Sequence, residues 1–245
     1  AAIFRSVGDT KTPLIALAAS GVLNVILNLF FVAVLKMTVN GVAIATVISN
    51  AVSSFLLYRK LRKTTHDIRL EPKQLRIDFD ILKRILRIGL PAGIQSAVFS
   101  VSNIVIQSAI NSLGTVVMAA SSAAFNIEII TYDILNSFSQ ACTTFVGQNF
   151  GAGKPKRCKK TLVLCLFEGA VFLAAAIALI LFFGRSLLAV FNNDPQVVET
   201  GYIRLMLAMV SHSFCLLYEV MSGYMRGFGI SLTPAILTMF GVCGV

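Results

Sequence analysis

The sequence predicts an all-α membrane protein, a polytopic bundle of hydrophobic helices, on three observations. Charged residues make up only 13% of the chain against 56% hydrophobic, whereas soluble domains carry roughly 25% charged residues. Apolar runs long enough to cross a bilayer recur along the chain, separated by short polar or basic connections. Lys and Arg gather in a few of those connections instead of forming one basic face. The net charge of +10 therefore reads as topology. With no Trp and 5 Tyr there is no platform for stacking bases, which excludes nucleic acid as a partner.

The elements follow in order. Pro13 starts a helix over residues 14–35, and Asn40-Gly41 precedes a second over 42–58. A polar connection leads through Pro91 to a third over 89–112. Three more cover 117–148, 161–183 and 197–224, and a last begins near Pro234. The connection from Tyr58 to Gly89 is the natural boundary, giving regions 1–58, 59–88 and 89–245. Within it Ile77, Phe79, Ile81, Leu82, Ile85 and Leu86 alternate with Arg, Lys and Asp, which predicts a separate amphipathic helix at the membrane surface. The chain has no initiator Met and stops inside an apolar run, which predicts a portion of a larger protein.

Charge gives the spans a direction. The 59–88 connection holds Arg59, Lys60, Arg62, Lys63, Arg69, Lys73, Arg76, Lys83, Arg84 and Arg87, and the 149–160 connection holds Lys154, Lys156, Arg157, Lys159 and Lys160. Two helices separate them, so both lie on one side, and the connection at Leu113-Gly114-Thr115 between those helices has no cation. Alternation puts Arg5, Lys11 and Arg226 on the basic side and Lys36, Arg185 and Arg204 toward the other. The positive-inside rule makes the basic side cytoplasmic, the arrangement of a multi-pass protein of the cell inner membrane.

A corner repeats. Arg5, Gly8, Thr12 and Pro13 reappear at the same spacing as Arg226, Gly229, Thr233 and Pro234, each before an outward-running apolar helix. Same-orientation repeats imply a pseudo-twofold along the membrane normal, one of the repeat geometries of secondary transporters. Gly permits the tight turn, Pro starts the next helix, and Arg can hold phosphate headgroups or helix-end carbonyls.

Polar residues inside the spans are the functional candidates, because they are costly there. Ser96, Ser100, Asn103, Gln107 and Asn111 form one face of the third helix. Glu128, Tyr132, Asn136 and Gln140 form one face of the fourth, continued by Thr143 or Thr144. Two such stripes on adjacent helices predict a wet cavity between them, with interhelical hydrogen bonding as the alternative. Glu219, one turn before the second corner, is a further carboxylate able to exchange a proton or sodium ion, or else to pair with Arg226. Asn24 and Asn28 mark a shorter face on the first helix, and His212 reads as a packed residue. The five cysteines lack CxxC spacing and read as small packing residues. No nucleophile elbow, HExxH or Walker sequence is present, so the reading is not of an enzyme, with no cofactor and no metal.

The motif Phe4-Arg5-Ser6-Val7-Gly8-Asp9-Thr10-Lys11-Thr12-Pro13 resembles the R-x-x-G-D-T-x-x-P corner of multidrug and toxic compound extrusion (MATE) transporters. Val146-Gly147-Gln148-Asn149-Phe150-Gly151-Ala152-Gly153 resembles that family's VGQNxGAG signature, and Gly89–Gln95 and Met225–Gly229 also fit its pattern. The resemblance implies a fragment of a twelve-helix, two-lobe transporter: helices five and six, the inter-lobe linker, helices seven to ten and the start of eleven. It implies a Na⁺- or H⁺-coupled antiporter exporting amphiphilic, often cationic compounds by rocking two lobes, monomeric when full length. Where some members place Glu on the seventh helix, this sequence has Phe99-Ser100. A lipid-linked-sugar flippase of the same superfamily would need Lys or Arg along the polar stripes, which carry none. A non-transporting membrane scaffold would not need the polar faces.

Overall fold

The structure, a computed structural model, describes residues 1–64, 68–72 and 75–243. Lys73 of the predicted basic connection lies outside them, as does the side chain of Cys243. The described residues are helical: α1 Ala2–Ser6, α2 Lys11–Leu29 running into a π-helical turn at Phe30–Val34, α3 Val39–Lys63, α4 Phe79–Ser112, α5 Thr115–Gly151, α6 Pro155–Ala189, α7 Pro195–Gly227 and α8 Leu232–Cys243. Six of these are long and apolar enough to cross a membrane. They fall into two compact units, Ala1–Ile77 and Asp78–Val245.

In the first unit α2 packs on α3 through small residues. Ala16 and Ser20 are buried on α2, and Gly41, Ala45, Ser49 and Ser53 recur every four residues on α3. Without a hydrophobic force between helices in lipid, such small residues let backbones approach and gain dispersion contacts. Asn40 and Gly41, expected to precede α3, lie inside its first turn. At its other end α2 stops where Lys36 takes a left-handed φ of 51° and the Met37 N–H bonds back to the Phe31 carbonyl at 2.9 Å.

In the second unit α5, α6 and α7 form a bundle around Leu135, Cys142, Val146, Cys158, Cys165, Leu173, Leu216 and Val220. A second cluster, with Ala123, Ala124, Ile127, Ile180, Leu188, Leu205 and Met209, fills the opposite end. Helices α5 and α7 come close because Gly223 faces the Ser139 backbone and a Cβ there would overlap the Ser139 carbonyl. The Ser139 hydroxyl donates to the Glu219 carbonyl at 2.7 Å, and the Thr143 hydroxyl to the Gly223 carbonyl at 2.9 Å. Helix α4 packs along α8. Elsewhere large apolar side chains point outward, as with Phe182 at 82% and Phe240 at 78% exposure, the reverse of a soluble core.

The helices are longer than hydropathy marks. At 1.5 Å per residue, α4 and α5 extend to about 50–55 Å against a hydrocarbon core of about 30 Å. Hydropathy detects only the lipid-thick part, while the backbone ladder continues into the interface. The 149–160 connection accordingly shrinks to Ala152–Lys154, its other cations opening α6. For the same reason the separate amphipathic helix is not formed: residues 79–88 are the first turns of α4, which passes unbroken through Pro91. Pro91 has no N–H to offer the Arg87 carbonyl four residues earlier. The Ser231 hydroxyl donates to that carbonyl at 3.3 Å instead.

The repeated corner is repeated in geometry. Gly8 (φ 83°) and Gly229 (φ 80°) are both left-handed. In the first corner Gly8 N bonds to Arg5 O and Asp9 N to Phe4 O; in the second Gly229 N bonds to Arg226 O and Ile230 N to Met225 O. A third helix end does the same: Gly153 (φ 69°) bonds to Phe150 O and Lys154 N to Asn149 O. Each is the glycine turn that satisfies orphan carbonyls at a helix C-terminus. Only the first corner adds an acid, the Asp9 carboxylate accepting from Thr12 N at 3.0 Å. The Thr12 backbone N–H, helped by the Thr12 hydroxyl, holds the Asp9 carboxyl below the usual carboxylate range.

Candidate functional site

The polar face of α5 is met by α7. Glu219 is 7% exposed, and its Oε1 accepts from the Tyr132 hydroxyl at 3.2 Å. No Lys or Arg among the described residues forms an ion pair with it. One turn earlier on its own helix, Leu216 and Cys215 belong to the apolar core of the bundle. Four residues before Tyr132, Glu128 pairs with Arg204 of α7 at 3.6 Å, and Arg204 also donates to the Ser121 carbonyl at 2.9 Å. Asn136 is half-buried and Gln140 exposed further along the stripe. A cation, Arg204, therefore lies in contact with a stripe that seemed to have none, because it comes from another helix.

The α4 stripe behaves differently. Ser100, Asn103, Gln107 and Asn111 are exposed. The Ser96 and Ser100 hydroxyls bond to carbonyls of their own helix, and Gln107 bonds to Asn111 at 2.9 Å. Within this unit α4 packs mainly on α8 with its other side, which leaves the predicted stripe exposed.

That other side carries a network the sequence reading missed. Gln95, 3% exposed, donates to Tyr218 and to Thr238, the latter at 2.9 Å, and accepts from Arg226 at 2.8 Å. Tyr218 and Thr238 bond to each other as well. The corner arginine thus grips an amide on α4; it neither pairs with Glu219 nor points to a headgroup. Its Nε is buried without a partner. The signal available in sequence was a Gln off the Ser96–Asn111 stripe in the run after Pro91.

In the first unit Asn24 donates to Ser49 at 3.1 Å and to Thr46 at 3.5 Å, and Asn28 donates to Asn24 at 3.0 Å. The Asn28 Oδ1 is buried with no partner, an acceptor that calls for a donor or a cation. The π-helical turn begins two residues later, a feature often found at functional positions. His212 is buried with Nδ1 2.7 Å from the Ala208 carbonyl. No cluster of three or more His, Cys, Asp or Glu able to hold a metal occurs among the described residues.

Comparison with known proteins gives the family. The MatE family model matches residues 91–245. The chain is 27% identical to "Probable multidrug resistance protein YoeA" of Bacillus subtilis over 98% of its own length and 54% of that relative's. It is 26% identical to "Probable multidrug resistance protein NorM" of Thermotoga maritima, covering 98% of itself and 53% of the relative. It is 28% identical to "FAD transporter" of Shewanella oneidensis, covering 80% and 44%. A crystal structure of MATE in complex with MaL6 superposes with a TM-score of 0.84 at 21% identity, over 95% of this chain and 53% of that one. A MOP superfamily transporter from Pyrococcus furiosus gives 0.82 at 22%, over 96% and 53%; both likenesses are of fold. The chain spans about half the length of the curated relatives it matches. With its glycine corners, its six membrane-length helices and a family match over most of its length, this multi-pass membrane chain belongs to the MatE family.

Proposed function

We propose that this chain is part of a multidrug efflux antiporter that exchanges an amphiphilic, often cationic compound for Na⁺ or H⁺ by rocking two lobes. It works without a cofactor or chemical step, as a monomer when full length, in the inner membrane with its basic loops cytoplasmic. The observation that carries the reading is the burial of Glu219 with no basic partner among the described residues. A buried carboxylate without a basic partner costs several kcal/mol, which suits Glu219 to exchange a proton, a sodium ion or a cationic substrate. Competition among those three for one carboxylate is the logic of exchange. The Tyr132 hydroxyl donates to Glu219, a bond that strengthens when the acid is ionised. The Asn28 carbonyl oxygen in the first unit supports a second point of cation contact.

The flippase alternative needs free interior cations for a pyrophosphate. Arg204 is engaged by Glu128 and Ser121, and Arg226 by Gln95, which favours the antiporter. The test is ethidium efflux from cells expressing the full-length protein that carries this chain, under separately imposed Na⁺ and H⁺ gradients. Efflux should follow one gradient and fall at least about tenfold in Glu219→Gln, the scale of one lost charge contact. Efflux driven by neither gradient would reject the antiporter; full activity in the variant would reject Glu219 as the exchange point.

A further inference from the structure

The first turns of α4 carry a feature that the transport reading does not use. Asp80, Lys83, Arg84 and Arg87 line one recess of about 370 Å³, within the size range of small-molecule sites. Their spacing of three, one and three residues puts them on a single helical face. None of the three cations is in an ion pair among the described residues. The other side of the same turns is apolar and exposed: Phe79, Ile81, Leu82, Ile85 and Leu86. From Ile88 onward α4 has no further charged residue, so Arg87 marks the level at which the helix enters hydrocarbon. The recess lies at headgroup depth, with apolar side chains beside it to meet acyl chains.

We infer that Lys83, Arg84 and Arg87, with Asp80, form a binding site for the headgroup of an anionic phospholipid that bears free hydroxyls. The cations hold the phosphodiester, the Arg guanidiniums by paired N–H bonds. The Asp80 carboxylate, an acceptor only, takes hydroxyl protons of the headgroup. Three positive charges against one negative leave a net positive recess that favours an anionic headgroup over a zwitterionic one. The site is also tied to the rest of its unit. The Arg87 carbonyl left without a helical donor by Pro91 is held by Ser231 at the α7–α8 corner, and Gly229 of that corner lies 3.7 Å, measured from its would-be Cβ, from Ile88. A bound headgroup therefore braces α4 where it meets α7 and α8. The inference rests on the membrane-spanning fold and not on what is transported.

The test uses the full-length protein carrying this chain, purified in dodecyl maltoside and titrated with phosphatidylglycerol, phosphatidic acid, phosphatidylcholine or soluble glycerol 3-phosphate. Retained lipid is read by native mass spectrometry and the unfolding midpoint by thermal shift. Phosphatidylglycerol should be retained and raise the midpoint. The triple variant K83Q/R84Q/R87Q should bind it about a hundredfold more weakly, the sum of three headgroup contacts. The control R59Q/K60Q/R62Q, which removes as many charges from α3, should bind it like the parent. Asp80→Asn should erase the preference for phosphatidylglycerol over phosphatidic acid. Equal loss in both triple variants, equal retention of phosphatidylcholine, or equal stabilisation by glycerol 3-phosphate would overturn the site. If the triple variant unfolds early without lipid, Arg84→Gln alone replaces it, with a proportionate loss expected and an unchanged affinity counting against the site.

Discussion

At the scale of single residues, the informative ones are those whose surroundings contradict their chemistry. Glu219 is a carboxylate in an apolar bundle, relieved among the described residues by a tyrosine hydroxyl. Glu128, on the same polar stripe as Tyr132, is instead matched by Arg204. The stripe on α5 was legible as a four-residue repeat, but which of its members would be neutralised was not. That depended on α7, whose Arg204 and Glu219 are fifteen residues apart and reach different levels of the stripe. Gln95 was legible only as part of a motif, since nothing local marks it as the hub joining Arg226, Tyr218 and Thr238. Lys36 is a contradiction of another kind, a β-carbon residue in the left-handed region, where a non-glycine residue costs about 1 kcal/mol or more. Lys36→Gly should therefore raise stability by about 0.5–1 kcal/mol after the added chain entropy of glycine. Thermal unfolding in detergent checks this, and a lowered midpoint would mean that Lys36 makes compensating contacts.

At the scale of elements, the helices were placed correctly by hydropathy and bounded poorly by it. Apolar runs mark where lipid touches the chain, and the helix goes on as long as its backbone ladder does. Residues 79–88 looked like a separate surface helix because their pattern is amphipathic, yet they continue into α4 because Pro91 removes one hydrogen bond without ending the helix. Contacts between elements depend on small residues at particular heights. Gly223 sits where α5 and α7 touch, with the Ser139 backbone against it. Gly223→Ala should lose about 1–3 kcal/mol through overpacking. Gly93→Ala on α4, with nothing within 4 Å of the added carbon, should gain up to about 1 kcal/mol of helix propensity. Similar effects of the two substitutions on the unfolding midpoint would refute the close α5–α7 approach.

At the scale of the molecule, sidedness follows from charge. Lys and Arg crowd the proposed cytoplasmic ends, and the structure adds what happens to the few on the other side. Arg185 is held by Glu199 in two hydrogen bonds and stacks on Tyr202. Arg204 is held by Glu128. The end proposed to face outward thus carries less free positive charge than a count of cations implies. In intact cells an impermeant maleimide should label Asn193→Cys, in the α6–α7 turn, and should reach Lys156→Cys, at the start of α6, only after lysis. The reverse pattern would invert the topology.

The sequence by itself determined the class of the protein, the order of its spans, and its glycine corners. These are local properties: hydrocarbon excludes unpaired backbone and charge wherever they occur, and a left-handed turn favours glycine wherever it falls. The resemblance to the MATE family held in comparison: the family model matches residues 91–245, and a relative aligns over 98% of the chain. What only the tertiary structure decided was partnership: Arg204 with Glu128, Tyr132 with Glu219, Arg226 with Gln95, and Ser231 with the carbonyl that Pro91 releases. Each joins residues about 75 to 145 positions apart on different elements, and helical periodicity records which face a residue occupies without recording what comes to meet it.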